Sequence, residues 1–550
     1  MRCAAGIGTA PHDFLIWGYG MLDYLIRNGR IVDGTGNPWF RADIGIAGGR
    51  IAAIRHHLDL PARHTIEAEG LTVCPGFIDM HAHSDWWLLT NPLHHPKLLQ
   101  GVTTELLGQD GFSLAPWPAQ EADMLRRLVA GMNGNPDLAP SWQSFAGYLE
   151  ALNAAQPSVN ALSLVGHGTL RVGVVGMANR PASAAELAEM ERLLRQSMEE
   201  GAAGLSSGLI YAPCYFAQRE ELVRLCRVVA DYGGIFVVHL RSEGDRLLEA
   251  LEEVLDIAAE SGVSLHVSHF KVFGRPNWGK STLALERLER AREAGIDVTF
   301  DQYPYTAGST SLSVLLPPWA HEGGAEALLA RLQDPAAREQ MRRDMEQDTS
   351  WDNFLAAVGA ENIFITWVGS ERNRWAVGKS LVAIAGSMHK PAAEAVMDLL
   401  WEEQLAVTMV DFCMSEEDVE RIMRHPLQMV STDGLLAGRP HPRAYGAYPR
   451  VLGYYVRERR LLPLQEAVRK MTSLPAQRLG LRDRGLVREG YWADLVIFDP
   501  AVVADLATYE DPCRHPAGIT HVFVNGVLSA AGGEHLGQRA GRALERHTPY

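Results

Sequence analysis

A short apolar stretch that closes in two histidines is the feature that most constrains this chain. Cys74 to Met80 reads as a buried strand, and the segment continues as His81-Ala-His83. Because residues i and i+2 of a strand point to the same face, both imidazoles project from one strand end and can share a metal ion. A lone His-x-His pair is weak evidence, since most histidines lie at the surface or in a satisfied core. Its weight depends on partners elsewhere in the chain.

Such partners close three later strand-like runs. Gly234–His239 and Val263–His269 end in histidine, and Pro426–Asp433 ends in aspartate. Parallel strands of a (β/α)8 barrel bring their carboxyl ends to one mouth, where active sites form. Imidazoles with a carboxylate suit zinc or a similar divalent ion. The sequence therefore predicts a metal site at a barrel mouth, with His81, His83, His239, His269 and Asp433 as ligands.

The rest of the pattern predicts an α/β, TIM-like barrel with a small second domain. Apolar runs alternate with amphipathic helices such as Ala184–Glu200 and Glu249–Ser261, as buried parallel strands and their crossovers would. β-Rich segments with Asn-Gly or Gly-Gly turns occur at both chain ends, and they predict one β-sandwich domain from residues 21–74 and 487–550. The barrel is expected over 75–486, with strands near 77–83, 101–107, 161–167, 203–208, 235–239, 263–269, 296–303 and 427–433.

Two segments fall outside this plan. The stretch of about 310–400 is too long for an ordinary βα-loop and contains the strand-like run Ile363–Trp367, so we expect a lid-like insertion there. Residues 1–20 lack the basic start and apolar core of a secretory signal. We expect them to be an extension that activity and stability do not need.

Composition excludes several classes of protein. The formal net charge of −15 argues against a nucleic-acid partner, because phosphate binding needs clustered Lys and Arg. Without a run of about 18 uncharged apolar residues, no membrane span is expected. The six cysteines lack CxxC spacing, which is typical of reduced thiols in a cytoplasmic protein. The sequence leaves open whether the chain forms a homo-oligomer.

Motifs around these runs resemble those of a known family. Beyond Pro75–Asp85 they are Gly101-Val-Thr-Thr-Glu105, Gly208-Leu-Ile-Tyr-Ala-Pro213, His239-Leu-Arg-Ser-Glu243, Ser268-His-Phe-Lys271, Tyr303-Pro-Tyr-Thr-Ala-Gly-Ser309, His441-Pro-Arg-Ala-Tyr-Gly446 and Met471-Thr-Ser-Leu-Pro475. From about Met21 onward, the chain resembles the amidohydrolase superfamily and, within it, the N-acyl-D-amino-acid deacylases (D-aminoacylases). The resemblance implies the barrel, the sandwich and the covering insertion. It also implies that the substrates are small molecules, the N-acyl-D-amino acids. A metal-dependent hydrolysis would convert them to a carboxylate and a free D-amino acid.

The ligand that would bridge two metal ions departs from the family pattern. Many amidohydrolases use a carboxylated lysine on the fourth strand, but the only lysine between His83 and His239 is Lys97, well before the second strand. The D-aminoacylases use a cysteine in a Gly-Asn-Cys-Gly turn, and this chain reads Gly108-Gln-Asp-Gly111 there. The resemblance thus gives Asp110 the bridging position. Because a carboxylate is harder than a thiolate, we expect one or two Zn²⁺ ions bound more weakly, or greater tolerance of Mn²⁺ or Co²⁺.

Asp433 is assigned the acid–base role in the reaction, and four further residues are assigned to substrate binding. Asp433 would accept a proton from metal-bound water and pass it to the leaving nitrogen. Lys271 lies on the strand face of His269, and an arginine offers a bidentate fork on the loop after Asp433. By resemblance to the deacylases, the substrate α-carboxylate is held by Lys271, Tyr303, Ser309 and Arg443.

Other functions compete with deacylation. A cyclic amidase of the hydantoinase or dihydroorotase kind is disfavoured because the fourth-strand lysine is missing. A hydrolase of another N-acyl compound stays open. A metal-free scaffold is disfavoured by the complete ligand set. Within the site, Glu105 is a weaker rival of Asp110, and Asp110 alternatively only shapes a Gly-rich turn.

Overall fold

Eight parallel strands alternating with helices form the centre of the molecule. The computed structural model describes residues 21–134 and 136–546, so the predicted extension at residues 1–20 lies outside the described part. The strands form a parallel run of six and a parallel run of three, which meet at the split third strand. In chain order they are Phe77–Asp79, Val102–Leu107, Asn160–Ser163 with Val165–Gly166, Gly204–Gly208, Ile235–His239, Ser264–Val267, Val298–Gln302 and Gln428–Val430. The predicted TIM-like barrel is confirmed.

The barrel closes between its first and last strands, directly beside the His-x-His segment. Ala82 and Gly434 form a parallel bridge, and Asp433 N donates to His81 O at 2.9 Å. On the opposite side, Ala203 N donates to Ser163 O at 2.9 Å and joins the third and fourth strands. Closure therefore brings residues from the two ends of the barrel sequence into contact.

Burial explains why these segments are strands and helices. All five residues of Ile235–His239 are buried, as expected for a strand covered on both faces. The following helix, Leu247–Ser261, buries Leu251, Val254 and Ala258, which lie on one helical face. Gly204 begins the fourth strand, where a Cβ atom would lie only 1.9 Å from Ile235 O. Only glycine permits this close approach of two strands.

Both ends of the described chain build the second domain. A nine-stranded sheet pairs Thr72–Pro75 with Leu495–Phe498 in antiparallel register. Residues from both ends share one buried core, including Ile44, Val73 and Phe523. The predicted β-sandwich domain is confirmed as this composite sheet. Its other strands are Leu22–Ile31, Phe40–Ala47, Arg50–Arg55, Ala62–Glu67, Ile519–Val524, Val527–Ala531 and Glu534–His535.

A large insertion separates the seventh and eighth barrel strands. It contains an antiparallel sheet of Gly308–Ser311, Val407–Asp411 and Ile363–Val368, in that order. The last of these includes the strand-like run seen in the sequence, whereas Val407–Asp411 was not foreseen. Helices of the insertion are Gly324–Arg331, Pro335–Gln347, Phe354–Val358, Leu381–Met388, Ala392–Glu402 and Glu416–Arg424.

The remaining helices surround the barrel and its mouth. Outside the insertion they are Asp85–Thr90, His95–Leu98, Ala122–Asn133, Phe145–Ala155, His167–Val174, Ala184–Glu199, Arg219–Asp231, Leu247–Ser261, Ser281–Glu293, Arg443–Arg450, Leu464–Met471 and Ser473–Arg478, with a π-helix at Val451–Glu458. Over residues 21–134 and 136–546, none of the helices has the length and apolar character that crossing a bilayer requires.

Candidate metal centre and active site

The side chains predicted as metal ligands meet at the carboxyl end of the barrel. Each closes or directly follows a buried barrel strand, so the parallel strands deliver all of them to the same mouth. His81, His83, His239, His269 and Asp433 are all buried.

One group of ligand atoms surrounds the His-x-His pair. His81 Nε2 lies 3.3 Å from His83 Nε2. Asp433 Oδ1 lies 3.7 Å from the first of these nitrogens and 3.2 Å from the second. One ligand atom from each of the three residues fits within a span of 4.8 Å. A single divalent ion could accept all three donors.

Asp110 occupies the centre of the four imidazoles. Its Oδ1 atom lies 3.6 Å from both His81 Nε2 and His269 Nε2, and 3.9 Å from His239 Nδ1. Its Oδ2 atom lies 3.5 Å from His83 Nε2. A bridging ligand requires this central position between two groups of donors.

The backbone holds three of the candidate ligands in the left-handed region. The φ angles are 54° at Asp110, 30° at His269 and 47° at Asp433. Residues other than glycine adopt this conformation at a cost, and Asp and His are among those that tolerate it best. Gly108 and Gly111 flank Asp110 with φ of 72° and 84°, which completes the sharp turn. The backbone conformation of this turn therefore sets the direction of the Asp110 side chain.

Several buried polar atoms of the site fit a divalent cation. Among the described residues, Asp110 Oδ1, His81 Nδ1 and both ring nitrogens of His239 have no hydrogen-bond partner. Buried polar atoms are costly without a partner. Imidazole and carboxylate donors together suit zinc and similar ions. The donor set therefore fits one or two such ions.

Local charges set the protonation of the imidazoles. Burial lowers the pKa of His83, but the carboxylates of Asp110 and Asp433 outweigh it and raise the value to about 9. Burial and a nearby ammonium lower the pKa of His269, and surrounding carboxylates raise it to about 10. For His239, burial dominates and lowers the pKa to about 3. His239 is therefore neutral at pH 7, whereas the other two must lose a proton before they can bind a metal ion.

Glu243 belongs to the site although the sequence analysis gave it no role. Its Oε2 lies 3.6 Å from His239 Nε2, and its Oε1 lies 3.2 Å from His269 Nδ1. Lys271 Nζ donates to both carboxylate oxygens at 2.6 and 2.7 Å, and lies 2.8 Å from His269 Nδ1. The signal that could have found Glu243 is its position four residues after His239, at the end of a family motif.

Three predicted substrate groups cluster beside Asp433. The guanidinium of Arg443 stacks 4.3 Å above the Tyr303 ring, and its Nη2 atom lies 3.0 Å from Asp433 Oδ2 and donates to Ser309 O. Within the described chain, Arg443 Nε and Nη1 and the Tyr303 hydroxyl are buried without a hydrogen-bond partner. The Ser309 hydroxyl instead donates to Met409 O at 2.8 Å. The unpartnered donors match what a carboxylate would accept.

A buried network of ion pairs holds the backbone around the candidate ligands in place. Lys97 Nζ donates to Asp79 Oδ2 at 2.6 Å and to Glu105 Oε2 at 2.8 Å. Asp79 Oδ1 accepts from His81 N at 3.2 Å and from Thr432 N at 2.9 Å. Asp79 thus ties the His-x-His segment to the residue before Asp433. Glu105 is engaged with Lys97 and with His94, and it belongs to none of the ligand groups found in the described chain.

The cleft above the ligands has about 440 Å³ of open space, including solvent at its mouth. Lys271, Tyr303 and Arg443 line it together with the candidate ligands. Asp411, from the insertion, also lines it, and the sequence analysis missed this residue. Burial raises the pKa of Asp411 above its ordinary value, and a hydrogen bond with Cys413 and the charges of Arg443 and Lys271 offset only part of this rise.

Comparison with known proteins agrees with this geometry. The model of the amidohydrolase family matches residues 64–530. A D-aminoacylase of Alcaligenes xylosoxydans xylosoxydans is 38% identical over 529 residues, which cover 95% of this chain and 98% of that protein. The crystal structure of an N-acyl-D-glutamate deacylase from Bordetella bronchiseptica holds zinc and a phosphonate inhibitor that mimics the tetrahedral intermediate. It is 36% identical, with a TM-score of 0.80, over 96% of this chain and 100% of that chain.

A second solved structure and a distant one complete the comparison. A D-aminoacylase structure, 38% identical with a TM-score of 0.81, covers 96% of this chain and 100% of that chain; for its binuclear metal centre, one-metal activation and second-metal attenuation are described. A D-hydantoinase is 16% identical with a TM-score of 0.53 over 96% of this chain and 99% of that chain, so the likeness to cyclic amidases shows the fold alone. This chain belongs to the amidohydrolase family and, within it, to the N-acyl-D-amino-acid deacylases.

Proposed function

We propose that this chain hydrolyses the linear amide bond of N-acyl-D-amino acids, releasing a carboxylate and a free D-amino acid. The observation that carries the proposal is the adjacency of two sets of groups in one cleft. An imidazole–carboxylate cluster lies beside the unpartnered donors of Arg443 and Tyr303. The first set suits a metal-assisted hydrolase, and the second suits a substrate that carries a carboxylate near the scissile bond.

The metal in this proposal is zinc, as one or two ions. Bound zinc lowers the pKa of a coordinated water towards ~7 and polarises the attacked carbonyl. His81, His83 and Asp433 would hold one ion, and His239, His269 and Asp110 a second. Asp110 also contacts the first pair, which suits it to a bridging role. The harder carboxylate leaves Mn²⁺ and Co²⁺ as alternatives.

Asp433 is the proposed acid–base group. Burial raises its pKa, but Arg443 and His81 more than offset this and hold the pKa well below the usual range of an aspartate. It therefore starts ionised and can accept the proton of the attacking water. It then delivers the proton to the amide nitrogen as the bond breaks. An α-carboxylate on Arg443 would draw positive charge away from Asp433 and make it a stronger base when substrate is bound.

The carboxylate-binding groups orient the substrate. Arg443 Nε and Nη1 and the Tyr303 hydroxyl would donate to the α-carboxylate. Lys271, whose Nζ lies 5.8 Å from the centre of the Tyr303 ring, would add a second positive charge. Lys271 already shares its ammonium with Glu243, so it acts as part of an ion pair. The Ser309 hydroxyl is engaged with the backbone, but its carbonyl holds Arg443 in place. With the α-carboxylate and the amide carbonyl of the substrate both held, the configuration at Cα determines the direction in which the substrate side chain points.

The test is release of free amino acid from paired N-acetyl-D- and N-acetyl-L-amino acids. Zinc-loaded protein should cleave D members and leave their L enantiomers intact, and chelator-treated protein should recover activity when zinc is restored. Hydantoin and dihydrouracil serve as cyclic controls. Cleavage of the cyclic amides without cleavage of any N-acyl-D-amino acid would replace the proposal with a cyclic amidase.

A further inference from the structure

Asp411 is a buried carboxylate in the cleft that the proposed reaction does not use. It is only 1% exposed, and its Oδ1 atom has no hydrogen-bond partner in the part of the chain that the structure describes. It ends the middle strand of the insertion sheet, paired with Gly308. A Cβ atom on Gly308 would lie 3.0 Å from Asp411 Oδ2, so the glycine leaves space for the carboxylate. Asp411 is thus built into the cleft wall with Cys413 as its hydrogen-bond partner and with no cation paired to it in the described chain.

The other charges of the cleft are already paired. Lys271 lies 2.6 Å from Glu243, and Arg443 lies 3.0 Å from Asp433. The fourth carboxylate of the lining, Asp110, faces the imidazoles of the candidate metal centre. Among the described lining residues, the guanidinium nitrogens that stay unpartnered are those suited to the α-carboxylate. A second substrate carboxylate would find no cation left for it.

The adjoining cavity offers no cation either. It has about 650 Å³ of open space when the solvent at its mouth is included, shares Tyr211 with the cleft, and is lined largely by apolar side chains. Its arginine, Arg241, makes a two-nitrogen ion pair with Glu253. Its histidine, His321, is neutral at pH 7 because burial lowers its pKa to about 4. A side chain that extends in this direction meets apolar surface and paired charges.

We propose that Asp411 restricts this deacylase to N-acyl-D-amino acids whose side chains carry no negative charge. The inference rests on the proposed function. The side chain leaves Cα next to the carboxyl group, so the second carboxylate of a D-glutamyl or D-aspartyl substrate stays close to the α-carboxylate site. It would then face Asp411 in a buried cleft, where like charges repel strongly and water cannot screen them. A neutral amide of the same shape meets no such repulsion.

Isosteric substrate pairs test this directly. N-acetyl-D-glutamine against N-acetyl-D-glutamate, and N-acetyl-D-asparagine against N-acetyl-D-aspartate, differ in charge with almost no change in shape. The wild-type zinc enzyme should favour the amide by about 100-fold in kcat/KM, and Asp411→Asn should reduce that ratio by about tenfold or more. Asp245→Asn removes an exposed carboxylate outside the cleft, and it should leave the ratio as in the wild type.

The outcomes separate the two proposals. Equal cleavage of amide and acid by the wild type, or preference for the acid, would overturn the role of Asp411 and leave the deacylase intact. A ratio that Asp411→Asn does not change would also overturn it. Cleavage of no N-acyl-D-amino acid at all would overturn the proposed function and this inference with it. The amide-to-acid ratio of the wild type is measured without any variant. It can therefore contradict the inference even if Asp411→Asn fails to fold.

Discussion

Arg443 Nη2 lies 3.0 Å from Asp433 Oδ2, so the cation suited to the substrate carboxylate is also the partner of the proposed acid–base group. Substrate binding and proton transfer are thereby coupled through one ion pair. Glu243 and Lys271 form a second carboxylate–cation pair in the cleft. Both cations of the cleft are thus held by carboxylates before substrate arrives.

Arg443→Met should weaken substrate binding and shift the pH profile. Loss of a charged hydrogen-bonding partner costs roughly 1.5–3 kcal/mol, or about 10- to 100-fold in KM. Because Arg443 holds the pKa of Asp433 down, its removal should move the acid limb of the kcat profile to higher pH. Steady-state kinetics across pH measures both effects. Arg450→Met is the matched control, since Arg450 pairs with Asp505 instead, and an unmoved acid limb in Arg443→Met would contradict the coupling.

Asp433→Asn should severely reduce turnover, while the four imidazoles and Asp110 should retain most of the zinc. The amide keeps the shape of the side chain but cannot accept the proton, and general acid–base groups contribute about 10²–10⁴-fold. Zinc content per chain, measured beside kcat, separates loss of the proton carrier from loss of the ion. Substantial turnover by a zinc-loaded variant would limit Asp433 to a ligand role.

Asp110→Ala should reduce bound metal per chain, because Asp110 contacts all four imidazoles of the cluster. Asp110→Cys should retain metal and favour Zn²⁺ over Mn²⁺, since a thiolate is the softer ligand. A cost of ~1–2 kcal/mol in stability is expected for Cys, because φ is 54° at this position. Competitive loading with Zn²⁺ and Mn²⁺ measures the preference. Unchanged metal content in Asp110→Ala would mean that the residue only shapes its turn.

Metal binding should release protons at neutral pH. In the metal-free protein, carboxylates outweigh burial and raise the pKa to about 9 at His83 and about 10 at His269. Both are protonated below those values and must become neutral to bind, so affinity should fall as pH falls. We expect release of about two protons per fully loaded chain at pH 7. Calorimetry in buffers of different ionisation enthalpy counts them, and pH-independent affinity between pH 6 and about 8 would contradict the prediction.

Lys97→Met should destabilise the protein strongly. Its ammonium lies between the buried carboxylates of Asp79 and Glu105, and removing one partner of a buried ion pair costs about 3–5 kcal/mol. Urea unfolding at equal zinc loading measures the loss. Adding Glu105→Gln to the variant should restore part of the stability, since it removes one of the two carboxylates that Lys97 neutralises. A change of less than ~1 kcal/mol would show that water compensates the network.

The barrel and its ligand set were predictable because both depend on local pattern. A strand buried on both faces reads as a continuous apolar run, and Ile235–His239 shows this with a ligand-type residue at its end. Parallel topology then brings distant strand ends together without further information. The run at Ile363 was recognised for the same reason.

Residues whose role depends on long-range packing could not be found in this way. Glu243 lies in a loop after its strand, and its motif position alone does not assign it a role, which its contacts with His269 and Lys271 do. Asp411 reaches the cleft through strand pairing with Gly308, about a hundred residues earlier in the chain. Lys97 precedes the second strand and so does not supply the fourth-strand lysine of other amidohydrolases, yet it neutralises Asp79, the carboxylate that joins the first and last barrel strands. None of these contacts leaves a periodic trace in the sequence.

The composite sheet also sets the order of events during synthesis. Pro75 pairs with Leu495, so about 420 residues must be made before the free edge of Thr72–Pro75 meets its second partner. At roughly 5–20 residues per second, the ribosome needs about 20–80 s for that stretch. During that interval the nascent chain carries an unpaired strand edge, which is where chains associate wrongly. The finished sheet no longer exposes that edge, because Leu495–Phe498 then covers it.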